Sequence, residues 1–192
     1  YKKMKITAVI MCSGLSRRMG SNKLLIPFNG KKIYEYILDT VLKCDFYKVI
    51  AVTAYDEIGE KYRGIDVVFN PDNEEGISSS IRLGVKLSGN CDAVMFFTAD
   101  QPCLDVKTVK RLMAAFEERK QIIVPVYEGK TQNPVIFPIK YKDDLLSLKG
   151  DNGGKKVYSL FYDDVYEVPF DTELPFFDID TEDDLIRLKN MT

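Results

Sequence analysis

Apolar residues along the chain follow two alternating rhythms, short near-continuous runs and longer stretches in which apolar positions recur every three or four residues. The first run, Ile6-Thr-Ala-Val-Ile-Met-Cys12, is β-branched and ends at Ser13-Gly14, which predicts a buried strand feeding a loop. Ile33 to Leu42 predicts a helix, with Ile33, Tyr36, Ile37 and Val41 on one face. Tyr47 to Thr53 and Asp66 to Phe69 predict strands, the second stopped by Asn70-Pro71. A helix over Ser78 to Leu87, a strand over Ala93 to Thr98, an amphipathic helix over Asp105 to Arg119 and a strand over Ile122 to Val126 continue the alternation.

After Val126 the rhythm changes. Glu128-Gly129 reads as a turn into Pro134-Val-Ile-Phe-Pro138, so an antiparallel element or hairpin is expected there. A helix around Lys155 to Phe161, a strand over Val165 to Val168 and a last helix N-capped by Thr181, with Asp184 three residues on, follow. Apolar strands alternating with amphipathic helices predict a mostly parallel mixed sheet with helices on both faces. The expected fold is a three-layer, Rossmann-like α/β arrangement, one domain over residues 1–192. Ligands of such sheets bind at strand carboxyl ends near a topological switch point. The loops after Cys12, Thr53, Phe69, Thr98 and Ile179 therefore carry the candidate chemistry.

Composition removes several chemistries. With 45% hydrophobic and 11% aromatic residues the chain can bury a core, so disorder is excluded. No histidine is present, which excludes Ser-His-Asp and Cys-His nucleophiles, His-ligated zinc and an imidazole base. The four cysteines, Cys12, Cys44, Cys91 and Cys103, form no C-x-x-C pair, which fits a reducing compartment. The longest early apolar run is far shorter than the ~20 residues of a membrane span, and a cytoplasmic location is expected. The first 34 residues hold eight bases and no acid, yet the net charge is −2, so a small anion is a better-fitting partner than nucleic acid or membrane. Whatever the chain catalyses must rest on carboxylates, lysines, arginines and backbone amides, with an oxygen-ligated metal as an option.

The loop Ser13-Gly14-Leu15-Ser16-Arg17-Arg18-Met19-Gly20-Ser21-Asn22-Lys23 has the makings of a phosphate cradle. Glycines let backbone amides approach an anion, Arg18 offers a fork of donors and Lys23 a point charge. The spacing is neither Walker A nor G-x-G-x-x-G, and composition alone leaves an ordinary glycine-rich connection open. Asp100 ends a buried strand, and Asp178 and Asp180 share one side of an extended segment. Asp100 is thus a candidate Mg²⁺ ligand or a turn cap. Either Asp178 or Asp180 is a candidate second ligand, with Asp180 preferred; Asp180 could equally be a structural residue before its capping neighbour.

Gly14-x-Ser16-x-Arg18-Met19-Gly20-x-x-Lys23 after a first strand resembles the signature loop of Rossmann-like nucleotidyltransferases. Four further segments narrow the likeness: Asn70-Pro71 with Gly76-Ile77-Ser78-Ser79-Ser80, Asp100-Gln101-Pro102, Gly150-Asp151-Asn152-Gly153, and Asp178-Ile179-Asp180-Thr181 with Asp184-Leu185. Together they resemble the molybdenum cofactor cytidylyltransferase branch, over essentially the whole chain. The resemblance implies transfer of CMP from CTP to the phosphate of molybdopterin, Mg²⁺-dependent, with pyrophosphate released. It implies Arg18, Lys23 and Asp100 as catalytic residues. Ser13, Gly14, Ser16, Arg18, Lys23, Ser79 and Ser80 would bind nucleotide, and Asp100 and Asp180 would hold Mg²⁺. Asn133 and Lys155 would bind the acceptor, and a molybdoenzyme or its chaperone would be a further partner.

Two departures from the branch bear on substrate. Cys12-Ser13-Gly14 stands where Ala-Ala-Gly is usual; glycine holds the middle position in the guanylyltransferase relatives, and the resemblance implies that a side chain there favours cytosine over guanine. Gln132-Asn133-Pro134 replaces the usual Gly-His-Pro, and Asn133 can hydrogen-bond but not titrate. A GTP-dependent enzyme, a nucleotidyltransferase acting on a sugar or polyol phosphate, and a non-catalytic nucleotide-binding chaperone are the alternatives.

Overall fold

The computed structural model describes residues 3–13, 22–58 and 62–192. Its strands are β1 (Ile6–Cys12), β2 (Pro27–Phe28), β3 (Lys31–Lys32), β4 (Lys48–Thr53), β5 (Asp66–Phe69), β6 (Ala93–Thr98), β7 (Ile122–Tyr127), β8 (Lys130–Thr131), β9 (Val135–Pro138) and β10 (Val165–Phe170). Its helices are α1 (Ile33–Leu42), α2 (Ile77–Leu87), α3 (Val106–Arg119), α4 (Lys142–Leu146), α5 (Gly154–Leu160) and α6 (Glu182–Met191).

Among the described residues one sheet runs β10-β7-β9-β6-β1-β4-β5, with β8 paired to β7. The pairs β1–β4, β1–β6, β4–β5 and β7–β10 are parallel, and β9 is antiparallel to both β6 and β7. Alternation along β1 separates two cores. Ile6, Ala8, Ile10 and Cys12 pack on the face covered by α1 and α3, through Ile37, Val41, Leu112 and Phe116. Val9 packs on the other face, with Ile81 and Val85 of α2, Leu145 of α4 and Val157 of α5. Helices on both faces confirm the three-layer arrangement expected from the strand–helix alternation. Each fully buried side chain such as Ile10 or Phe97 contributes on the order of 2 kcal/mol to that core.

The region after Val126 also follows its expectation, with a refinement. Glu128 and Gly129 take left-handed φ values of 46° and 73°, turning β7 into β8 rather than into Pro134–Pro138. β9 then inserts between β6 and β7, in register Phe96↔Val135. Because β9 runs backwards, its beginning lies beside the end of β6, so residues 131–134 arrive at the carboxyl edge. The chain leaves β1 for β4 on one side and later returns to β6 on the other, so the switch point lies between the carboxyl ends of β1 and β6.

Candidate active site

At that switch point lies a cleft of about 320 Å³, whose lining includes Ser13, Lys23, Gly76, Ser80, Asp100 and Asp151. Lys23 opens a short 3₁₀ turn, Lys23–Leu25, whose first amides are capped by Asn22 and whose Leu24 is buried. Asp100 is set by β6: the Ala99 N–H donates to the Met11 carbonyl at 3.3 Å, anchoring this loop to β1. The Ile179 N–H donates to the Asp100 carbonyl at 3.0 Å, and the Gln101 amide to the Phe176 carbonyl at 3.1 Å. These two bonds staple the segment before α6 onto the end of β6. Asp184, in its capping box with Thr181, also accepts from the Asp180 N–H at 2.9 Å, so the Asp180 backbone is held while its carboxylate reaches into the site.

Lys23 Nζ lies 2.7 Å from Asp100 Oδ2 and 2.8 Å from Asp180 Oδ1. Burial opposes the ammonium, but the Asp100 and Asp180 carboxylates outweigh it and hold the Lys23 pKa above the ordinary lysine value. Asp178 is exposed as a residue, yet its carboxyl sits against Gln101; loss of water there, then the Asp100 charge, push its pKa up to about 7. Asp100, Asp178 and Asp180 around one ammonium leave a local excess of negative charge that favours a cation. Asp100 Oδ1 is buried and has no hydrogen-bond partner among the described residues. Hard oxygen donors, one of them unsatisfied, suit a divalent ion that takes its other ligands from phosphates and water. No set of three or more candidate ligands converges among the described residues, so an ion bound here would need further ligands from phosphates or water. The neighbouring Cys12 thiol is pushed up to about 12 by burial and by Asp100, which rules it out as a nucleophile at neutral pH.

The opposite end of the cleft holds a buried cluster of neutral side chains, rimmed by Glu74 and Asp151. Gly76, at φ 99°, precedes α2, and a Cβ on it would fall 2.3 Å from Asp151 Oδ1 and 2.7 Å from the Gly150 carbonyl. Only glycine lets the start of α2 lie this close to the Gly150-Asp151 loop. Ser78, Ser79 and Ser80 are buried there. Asn70 Nδ2 donates to Ser79 Oγ at 2.9 Å and to Ser80 Oγ at 3.0 Å, and Ser80 Oγ meets Ser13 Oγ. Arg82 braces this corner, donating to Ser78 Oγ at 3.0 Å, to the Leu148 carbonyl at 2.7 Å and to Glu75 at 2.5 Å.

A second cavity of about 210 Å³ adjoins the first, sharing Met11, Ile77 and Thr98 with it. Asn133 and Lys155 line it together with Phe137 and Tyr158, whose rings stack at 6.4 Å.

The structure thus brings Ser13, Lys23, Ser80 and Asp100 around one cleft, joins Asp180 to it through Lys23, places Ser79 behind Ser80, and sets Asn133 and Lys155 in the adjoining cavity. Gly14, Ser16 and Arg18 lie outside the described residues. Sequence reasoning missed the gripping role of Asn70 and the cleft-lining Asn73, Glu74 and Asp151; a polar residue directly after an apolar strand was the available signal for Asn70.

The family model for the MobA-like NTP transferase domain matches residues 8–165, spanning β1 to the start of β10. The chain belongs to this family. It is a nucleotidyltransferase. As a MobA-like NTP transferase it is 28% identical to the purine catabolism protein PucB of Bacillus subtilis (strain 168), over 95% of this chain and 96% of that one. It is 26% identical to the molybdenum cofactor cytidylyltransferase of Escherichia coli (strain K12), over 96% of this chain and 95% of that one. Among solved structures, a nucleotidyl transferase from Methanothermobacter thermautotroptrophicus matches the fold with a TM-score of 0.82 at 23% identity, covering 99% of this chain and 98% of that one. A Mycobacterium tuberculosis H37Rv protein solved in complex with manganese matches with a TM-score of 0.80 at 24% identity, covering 98% of this chain and 100% of that one. No helix among the described residues is long and apolar enough to cross a membrane.

Proposed function

We propose that this nucleotidyltransferase moves the cytidylyl group of CTP onto the phosphate of molybdopterin and releases pyrophosphate. The observation that carries the reading is the pair of adjoining cavities at one sheet edge. The first carries Lys23 and Asp100 at one end; the second carries stacked aromatic rings with Asn133 and Lys155. One suits a nucleoside triphosphate, the other a flat heterocycle carrying a phosphate.

An acceptor phosphate is already an anionic nucleophile, so the missing histidine costs nothing. Its oxygen forms a bond to the α-phosphorus as the bond from that phosphorus to the bridging oxygen of the β-phosphate breaks. Lys155 orients the acceptor phosphate, and Asn133 hydrogen-bonds the acceptor. Lys23, with Arg18 of the preceding loop, takes up charge developing on the leaving pyrophosphate. Asp100 and Asp180 hold Mg²⁺, which when bound neutralises phosphate charge and fixes the reacting groups. Ser13, Gly14, Ser16, Ser79 and Ser80 bind the nucleotide, and the Ser13 side chain at the cleft wall favours the smaller cytosine.

The test is pyrophosphate release with Mg²⁺ from CTP, GTP, ATP and UTP, with and without molybdate-loaded molybdopterin. Release with CTP and the pterin alone is expected. Release with GTP instead overturns the base assignment. CTP binding without release on the pterin overturns the acceptor and directs attention to sugar and polyol phosphates, which the neutral Gln132-Asn133 pair of the second cavity would also suit.

A further inference from the structure

The neutral end of the cleft has a direction as well as a composition. Asn70 is 2% exposed and follows β5 directly. The backbone N–H of Asp72 donates to Asn70 Oδ1 at 3.0 Å. A backbone N–H can meet only an acceptor there, so the other side-chain atom is the NH₂ group and the amide cannot be flipped. That group spends its two hydrogens on Ser79 Oγ and Ser80 Oγ. Ser79 hands its own proton to the Gly76 carbonyl at 2.8 Å. Either hydroxyl could donate in the Ser80–Ser13 contact; with Ser80 2% exposed and already accepting from Asn70, a proton directed at Ser13 Oγ is the arrangement that leaves no buried donor unmet among the described residues. In that arrangement Ser13 accepts from Ser80, and among the described residues its own O–H has no other acceptor and is left to give. Ser13 is 4% exposed and lines the cleft.

We infer that Asn70 is a positioning residue that sets the direction of a hydroxyl relay, Asn70 to Ser80 to Ser13, and so makes Ser13 a hydrogen-bond donor to an acceptor atom on the nucleotide base. The inference rests on the reading of this cleft as the nucleotide site. It separates two properties of Ser13: its Cβ limits the space for the base, and the relay decides whether its hydroxyl gives or takes a proton.

Asn70→Asp replaces the NH₂ group by an oxygen of the same size and reverses the relay. Ser80 would then donate to the new carboxylate and accept from Ser13, whose single proton is spent inside the protein. The affinity for CTP is expected to fall about tenfold, the worth of one hydrogen bond made to the ligand. Mg²⁺-tripolyphosphate, which has no base, is expected to bind wild type and variant equally. In a Ser13→Ala background, Asn70→Asp is expected to leave CTP affinity unchanged. A merely structural Asn70 would lower binding of both ligands and act equally in the Ser13→Ala background, and that result overturns the inference.

Neutron diffraction on deuterium-exchanged wild-type crystals tests the relay without any ligand. A deuteron on Ser80 Oγ directed at Ser13 is expected; one on Ser13 Oγ directed at Ser80 overturns the relay even if CTP binds. A wild type that binds tripolyphosphate but no nucleoside triphosphate more tightly overturns the base contact, and the nucleotide reading with it, while the deuterons still decide the relay.

Discussion

The two ends of the first cleft hold their side chains by opposite means. At one end Lys23, Asp100 and Asp180 are joined by charge, with side-chain exposures of 14%, 18% and 53%. At the other, Asn70, Ser79 and Ser80 are neutral, no more than 4% exposed, and each donor has one acceptor. Lys23 and Asp100 are largely shielded and Asp180 half-exposed, so this set is held by charge rather than by fixed geometry and can be shared with an arriving ion. Buried neutral hydrogen bonds are directional and costly to leave unmade. The first kind suits phosphates and metal that arrive and depart in every turnover. The second suits a surface that must stay the same to discriminate one ligand from another.

Substitutions can break this contrast. Asp100→Asn, at the ionic end, is expected to have the largest effect, a fall of at least about a hundredfold in Mg²⁺-dependent pyrophosphate release, because it removes a charged ligand while β6 keeps its place. Steady-state assays across Mg²⁺ concentrations check this, and wild-type turnover would remove Asp100 from the metal site. Lys23→Ala is expected to weaken triphosphate binding about tenfold more than monophosphate binding, by calorimetry, since Lys23 is assigned to the leaving group. Raising NaCl should shrink that difference, because the lost interaction is partly screened.

Gly76→Ala probes the neutral end through stability. A methyl group there meets Asp151 and Gly150 and demands a left-handed backbone, so a loss of about 1–3 kcal/mol in urea unfolding is expected. Arg82→Ala should cost about 1 kcal/mol in the same measurement, with little salt dependence if the bonds to Ser78 and to the Leu148 carbonyl outweigh the exposed pair with Glu75. A strongly salt-dependent loss would assign Arg82 to the ionic kind of bracing.

How far the sequence reveals each region follows from the range of the interactions involved. The elements α1, β5, β6 and α3 are legible because their apolar positions repeat within a few residues, and α6 because Thr181 and Asp184 cap it locally. Asp100 is legible as a carboxylate at the end of an apolar strand. The short α4 has no such signal: Lys142-Asp-Asp-Leu-Leu146 is one turn and a half, and only the packing of Leu145 against the α2 face makes it a helix. Asn70 has no local signal beyond its place, since its function lies in hydroxyls nine and ten positions away on α2. The pairing of Lys23 with Asp180, 157 positions apart, depends on the staple between residues 176–180 and the end of β6.

The reversed strand β9 divides responsibility within the sheet. The first cleft is built on β1 and β6, whereas Thr131, Gln132 and Asn133 enter the second cavity only because β9 begins where β6 ends. Residues 128–134 therefore form a cassette pinned at its ends by β7 and β9, and exchanging it is expected to reshape the second cavity while leaving the strands of the first cleft in place.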